Sequence, residues 1–365
     1  MTAPSRDDEP VTVRPRAVAE HPLSRTQRLI WSSQRLAPAV PLANMGKLHR
    51  FAGRIDAGRF VAAFDDVVRA SDALRTIVLE RPGAQPVARV LALPPAPTAV
   101  IDLPVDQLED WCTARIAVPI DATACAYDSV LIRHHDDDWS WFLALHHVVT
   151  AAFGSALVFA RGFLRSRAYP STRGDDERAR FWSSMVDDGP PISPYGPRGG
   201  RTTAVTRRPV PLHSDLMSGL AGPYRTISRE LGLLGLAASA MAVLLHRSDG
   251  RADLTLGIPI HHRSGRDAQR VIGPMMELYP LRVRVASHES GRELFDRIHR
   301  DIISVLRTAR PGESPDTAFD AVVNVLTARF GRLDEVPTTT TWLRSGHVDP
   351  AHALRVQVYD YGDGL

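Results

Sequence analysis

The sequence predicts an α/β protein of two lobes, and three observations predict it. At 365 residues the chain exceeds one compact core of ordinary size,. Apolar residues make up 44% and charged residues 23%, a globular balance that excludes wholesale disorder,. Strand-like and helix-like patterns alternate on both sides of a Pro-, Gly-, Arg- and Ser-rich stretch at 168–208,.

Taken in order, residues 1–20 lack apolar periodicity and predict a solvated tail. From Leu23 to Leu36, Leu29, Ile30, Trp31 and Leu36 share a broad face and predict a short helix,. Asp56 is placed as the N-cap of an amphipathic helix through Phe60, Val61, Phe64, Val67 and Val68,. Leu74 to Leu79 and Val87 to Leu93 predict strands joined by a turn at Pro82-Gly83,.

From Tyr127 onward the pattern becomes a hairpin, with Ser129–Arg133 and Trp139–His147 as strands and Asp136-Asp137-Asp138 as the turn. Period-2 alternation places Trp139, Trp141, Leu143, Leu145 and His147 on one face and Phe142, Ala144 and His146 on the other,. The two histidines therefore point apart. Thr150 is an N-cap for a helix through Phe153, Leu157, Val158 and Phe163, whose first N–H groups would lie beside an imidazole,. Residues 168–208 form the linker, interrupted by an amphipathic piece at Phe181-Trp182. Beyond it come helices at Arg229–His246 and Arg292–Thr308, and strands at 254–258, 278–285, 321–326, 338–343 and 354–359. The lobes are thus 21–170 and 171–365.

Charge separates function classes. Forty-four Lys and Arg face 41 Asp and Glu, a formal charge of +3 with the basic residues scattered among acids. Nucleic-acid binders concentrate theirs, so that class is set aside. A mildly basic surface still suits an acidic protein partner. Cys112 and Cys125 have neither C-x-x-C spacing nor a secretory leader, so no disulfide framework or zinc site is expected,. No apolar run is read as approaching the roughly eighteen residues needed to cross a bilayer, so no membrane is expected and the cytoplasm is the default address. Trp139, Trp141 and Phe142 read as core rather than a base-stacking platform, and Asp136–Asp138 as solvated turn rather than metal site,.

By spacing alone, a pair such as His146-His147 is more often a packed, hydrogen-bonded strand end than a catalyst. His134-His135 and His261-His262 show how readily such pairs arise. Collinear segments supply context. Leu23-Ser24-Arg25-Thr26-Gln27-Arg28-Leu29-Ile30-Trp31 contains Ser-x-x-Gln-x-x-x-Trp; Ala73-Leu74-Arg75-Thr76 contains Leu-Arg-Thr; His146–Ala152 is the first half of His-His-x-x-x-Asp-Gly. Gly257-Ile258-Pro259 through Arg263, Ile272-Gly273 and Pro280-Leu281-Arg282 follow. In this order the segments resemble the condensation domains of nonribosomal peptide synthetases.

That resemblance implies two chloramphenicol-acetyltransferase-like lobes in a V with a central tunnel. It implies joining of a carrier-bound acyl or aminoacyl thioester to an amine or alcohol acceptor, with a peptidyl or acyl carrier protein as partner. The phosphopantetheine arm arrives with the carrier, and no tightly bound cofactor or metal is implied. His147 would act near the acceptor nucleophile, as general base or as a positioning group, and His146 would be structural. An imidazole with a pKa near 6.5 can accept a proton near neutrality. N–H groups after Thr150 would steady an oxyanion. Gly154, Met275, Met276, Glu277 and Tyr279 would line the tunnel, although Met275-Met276 after Gly273-Pro274 serve equally well as adaptable packing,.

The sequence departs from the family pattern where Ala151 and Ala152 replace the motif's Asp and Gly. In the family that Asp pairs with an arginine matching Arg263, so here another acid such as Glu277 would substitute, or Arg263 would be solvated or turned to a ligand. The chain also ends at Leu365, before the family's last strand and helix, so an open sheet edge is expected,. A freestanding enzyme forming an amide is the leading expectation. A non-catalytic platform recruiting carrier proteins or tailoring enzymes, and an O-acyltransferase using a soluble alcohol or acyl-coenzyme A, are the alternatives.

Overall fold

A computed structural model describes residues 19–150, 176–186, 202–206, 208, 210–212, 228–262, 276–315, 317–327, 332–333, 336–348 and 354–360. The first half runs β1 (Ala19–Pro22), α1 (Arg25–Leu36), β2 (Asn44–Ala52), α2 (Ala57–Ala70), β3 (Thr76–Leu79), β4 (Val87–Val90), β5 (Ala99–Asp102), α3 (Leu108–Ile116), β6 (Tyr127–His135) and β7 (Asp138–His146). The second runs α4 (Asp176–Ser184), α5 (Arg229–Asp249), β8 (Asp253–Ile260), β9 (Glu277–Arg284), α6 (Gly291–Thr308), β10 (Ala321–Thr327), β11 (Arg332–Leu333), β12 (Val336–Leu343) and β13 (Arg355–Asp360).

The alternation read in β7 is what the packing uses. Trp139, Trp141, Leu143 and Leu145 meet Phe64 and Val68 of α2 in one core, while Phe142 and Ala144 meet Leu108, Cys112 and Ile116 of α3 in another. Phe60 and Phe64 stand edge-on to Trp141 at 5.1 and 5.3 Å, and Trp111 stands edge-on to Phe142 at 5.3 Å. Both faces are thus buried, and β7 is an interior strand of the order β11-β12-β2-β7-β6-β5. The hairpin turn is one residue shorter than expected, because Asp138 enters the ladder opposite Ala52 and His135.

β2 and β12 were assigned differently by the sequence. The sequence pattern marks no strand at β2 and puts β12 in the second lobe, yet they pair antiparallel from Thr338↔Phe51 to Leu343↔Gly46. A segment of the second half therefore completes the sheet of the first, and the division at residue 170 is crossed.

The second half builds the sheet β13-β10-β8-β9. Ser290 and Glu293 close a capping box on α6, and Ser228 accepts from the N–H of Leu231 to start α5, which Gly250 ends at φ 78°,. By length and composition α5 is apolar enough to cross a membrane, correcting the reading that no such run exists. Its Leu233, Leu234, Ala238, Met241, Ala242 and Leu245 are instead buried against this sheet. Trp182, within the stretch read as linker, joins the same core, 5.0 Å from the Tyr279 ring. β8 and β9 pair antiparallel, and β10 and β13 pair parallel.

Candidate active site

Ser24 begins the site by capping α1. Its hydroxyl accepts from the N–H of Gln27 at 3.2 Å, and the Gln27 side chain accepts from the N–H of Ser24 at 2.9 Å. Two orphan donors of the helix end are satisfied reciprocally. The Gln27 amide then donates to the carbonyl of Val148 at 3.0 Å. One turn on, Trp31 donates to Glu80 at 2.9 Å and sets its ring 6.2 Å from that of His146. The Ser-x-x-Gln-x-x-x-Trp segment is therefore a brace for the turn that follows β7.

β7 ends at His146, so His147 lies in that turn and not on the Trp141 face of the strand as expected, and the turn separates the two histidines. His146 is fully buried, its N–H bonded to the carbonyl of Ala126 at 2.8 Å. Its Nδ1 accepts from the N–H of Val148 at 3.1 Å, and its Nε2 has no hydrogen-bond partner among the described residues. Burial, reinforced by His147, pushes its pKa down to about 3, so it stands neutral,. His147 holds the carbonyl of Ala43 through its N–H at 2.8 Å and places its side chain on the wall of a cavity of about 700 Å³. Burial and the nearby Arg355 guanidinium push its pKa down to about 4,. It too is a neutral imidazole near pH 7.

Both halves of the chain line the cavity. α1 supplies Arg25, Thr26 and Leu29, β2 supplies Asn44 and Met45, and β12 supplies Trp342 and Leu343. From the other half come Met276, Glu277 of β9, Val322, Asn324 and Leu326 of β10, and Arg355, Val356, Gln357 and Tyr359 of β13. Glu277 is bonded on several sides: both oxygens accept from the N–H of Gly312, at 3.0 and 2.9 Å, one accepts from Tyr279 at 3.0 Å, and the other from Thr26 at 3.3 Å. The His262 Nε2 lies 3.5 Å away. Burial raises this carboxyl's pKa, but bonds from His262, Gly312 and Tyr279 outweigh burial and hold it below the usual range.

Of the residues singled out by sequence, His147, Met276 and Glu277 meet at the cavity. Tyr279, expected in the lining, is fully buried behind it, with its hydroxyl on Glu277 and the Arg310 carbonyl. Thr150 is fully buried after the turn. Ala151, Ala152, Gly154, Arg263 and Met275, with the helix expected after Thr150, lie outside the described residues. Sequence reasoning missed Gln27 as the link to Val148, and the polar face of β13. Alternation of Arg355, Gln357 and Tyr359 with Val356 and Val358 is the signal that reveals that face,.

The family model for the Condensation domain matches residues 18–163 and 229–312. Among curated proteins, the chain is 26% identical over 94% of its length to a dimodular nonribosomal peptide synthase of Bacillus subtilis, and 25% identical over 94% to an isonitrile lipopeptide synthase of Streptomyces coeruleorubidus. It spans 16% and 26% of those two relatives. The first condensation domain of the calcium-dependent antibiotic synthetase, solved with a substrate analogue, superimposes with TM-score 0.74 at 19% identity, over 95% of this chain and 89% of that one. A starter condensation domain of rhizomide synthetase RzmA, in complex with C8-CoA and Leu-SNAC, does so with TM-score 0.73 at 20% identity, over 94% and 86%.

Proposed function

Because this chain belongs to the condensation-domain family, we propose that it transfers an acyl or aminoacyl group from a carrier-protein thioester to an amine, forming an amide. One observation carries the reading. The neutral imidazole of His147 faces a cavity of about 700 Å³ walled by both halves of the chain, where two reactants can meet.

In this reading the amine donates a hydrogen bond to His147 and attacks the thioester carbonyl. The C–N bond forms, the C–S bond breaks, and the amine's surplus proton leaves with the thiolate as thiol. An imidazole whose pKa lies near 4, beside the Arg355 cation, holds a proton poorly. His147 therefore orients the nucleophile more than it stores the proton, and enclosure of both reactants supplies the larger share of the rate. The phosphopantetheine arm is part of the carrier-borne substrate, and the carrier protein is the partner. The likeness to amide-forming assembly lines favours amine over alcohol as acceptor.

The test incubates acyl-loaded carrier protein with candidate amines and follows carrier mass, using the wild-type protein and His147→Ala. Acyl release as amide, slowed at least about a hundredfold in the variant, is expected. Equal product from both proteins removes His147 from the mechanism. No turnover with any carrier or amine favours a non-catalytic platform.

A further inference from the structure

Consecutive residues open α1, and each is tied to a different part of the molecule. Arg25 donates to the carbonyl of Ser314, Thr26 donates to Glu277 at 3.3 Å, and the Gln27 amide donates to the carbonyl of Val148 at 3.0 Å. Ser314 and Glu277 belong to the second half of the chain, and Val148 to the turn that carries His147. Thr26 and Glu277 lie 251 positions apart and both line the cavity, so their bond exists only when the two halves stand together around it.

The start of α1 has a physical need for that carboxylate. The first N–H groups of a helix find no acceptor within it and carry partial positive charge, which an acidic side chain in the first turn ordinarily meets. Here the first turn reads Arg25-Thr26-Gln27-Arg28 and holds no acid. Glu277 brings one from β9, in the other half of the chain, and is well anchored on its own side. Both of its oxygens accept from the N–H of Gly312, at 3.0 and 2.9 Å, and one accepts from Tyr279 at 3.0 Å. Tyr279 is in turn fully buried, with the His262 ring edge-on at 5.6 Å and the Trp182 ring at 5.0 Å. The carboxylate is therefore satisfied without Thr26, and the Thr26 bond serves α1.

We propose that Glu277 is a positioning residue for the transfer reaction. It acts through Thr26 on the first turn of α1, and the same turn, through Gln27 and the Val148 carbonyl, sets the place of His147. The second half of the chain thereby reaches the imidazole by two side-chain hydrogen bonds with one helical turn between them. This rests on the condensation reading of His147 and deepens it, because closure of the two halves and placement of the imidazole become one event.

The experiment compares the wild-type protein with Thr26→Val, Thr26→Ser, Glu277→Gln and the double variant Thr26→Val/Glu277→Gln, using acyl-loaded carrier protein and candidate amines. Thr26→Val removes the hydroxyl while Gly312 and Tyr279 still hold the carboxylate, so its urea midpoint should move little. Its kcat is expected to fall about tenfold with KM within about twofold of wild type, and Thr26→Ser to recover most of the loss. Glu277→Gln is expected to lower kcat by a similar factor, and adding Thr26→Val to it to cost little more, since coupled residues do not add. Additive losses, a change in KM alone, or lowered stability with kcat unaltered overturns the proposal. Should Glu277→Gln not fold, the two Thr26 variants carry the test alone. Hydrogen exchange gives a second reading that needs no turnover, because the Val148 N–H bonds the His146 ring and the Val149 N–H bonds the His146 carbonyl. Faster exchange of these two amides in Thr26→Val and Glu277→Gln, with Thr26→Ser near wild type, is expected, and unchanged exchange overturns the positioning role. If no amine yields product with any of these proteins, the condensation reading fails, and the exchange result decides the positioning role by itself.

Discussion

Gln27 and Val148 are joined at 3.0 Å from side-chain amide to backbone carbonyl, fastening the first turn of α1 to the turn that carries His147. Gln27→Glu retains an oxygen for the Ser24 N–H but sets a carboxylate against the Val148 carbonyl. The expected outcome is a kcat about ten- to hundredfold lower with little change in KM, since small misplacements of a reacting group cost this much. Steady-state kinetics checks it alongside urea unfolding. A stability change with unaltered kcat would reduce Gln27 to a helix cap.

Acid should weaken the fold through its histidines. His49 lies well below its ordinary value because of burial and Lys47, His146 near 3 and His147 near 4. Each is neutral when folded but titrates near 6.5 when unfolded, so stability is complete above about pH 6.5 and lost as pH falls toward the folded values. Each buried histidine adds a slope of at most about 1.4 kcal/mol per pH unit. Urea midpoints between about pH 7 and pH 5 should fall, and His146→Asn should flatten the decline.

Lys47 is almost completely buried on β2, with its Nζ 4.3 Å from the centre of the Trp342 ring, and burial pulls its pKa down to about 7. The stability tied to its neutral form is present above about 10.5 and lost as pH falls to about 7. That cost is on the order of a few kcal/mol, more than a cation–π contact returns. Lys47→Met should therefore raise the melting temperature at neutral pH by about 2 °C or more and abolish the gain in stability between pH 7 and pH 10. Calorimetry across that range is the check.

Gly257 is a close-approach position. A Cβ there would lie 2.9 Å from both Cγ and Cδ2 of the Phe319 ring, which lines the cavity, and 3.2 Å from Cγ2 of Val322. A stiff ring gives way poorly, so Gly257→Ala should cost about 1–3 kcal/mol in urea unfolding and raise the acceptor KM.

The well-read elements are those whose two faces differ in sequence. Alternation in β7 assigned Trp141 and Phe142 to opposite cores, and a 3.6 period with Asp56 as cap found α2, where Asp56 accepts from the N–H of Arg59 at 3.0 Å. β2 escaped because Lys47 and His49 occupy buried positions that a polar residue seldom takes, which erases the alternation,. The Leu-Arg-Thr segment was legible as a motif but not as a turn: Arg75 bonds Asp72 at 2.7 Å, and Thr76 bonds the Asp72 carbonyl, delaying β3 to Thr76. At the site, the histidine pair stood out, whereas Arg355 became visible only once the parallel pairing of β10 and β13 set it facing His147's cavity.

Thr340 meets His49 across 291 positions of chain, at the place where β12 closes the edge of β2. During synthesis β2 emerges first, and at about 5–20 residues per second its outer edge waits on the order of 15–60 s for β12 to leave the ribosome. Over that interval the nascent chain exposes an unpaired strand edge, and a chaperone or a shortened translation pause would act there, before the protein has its cavity.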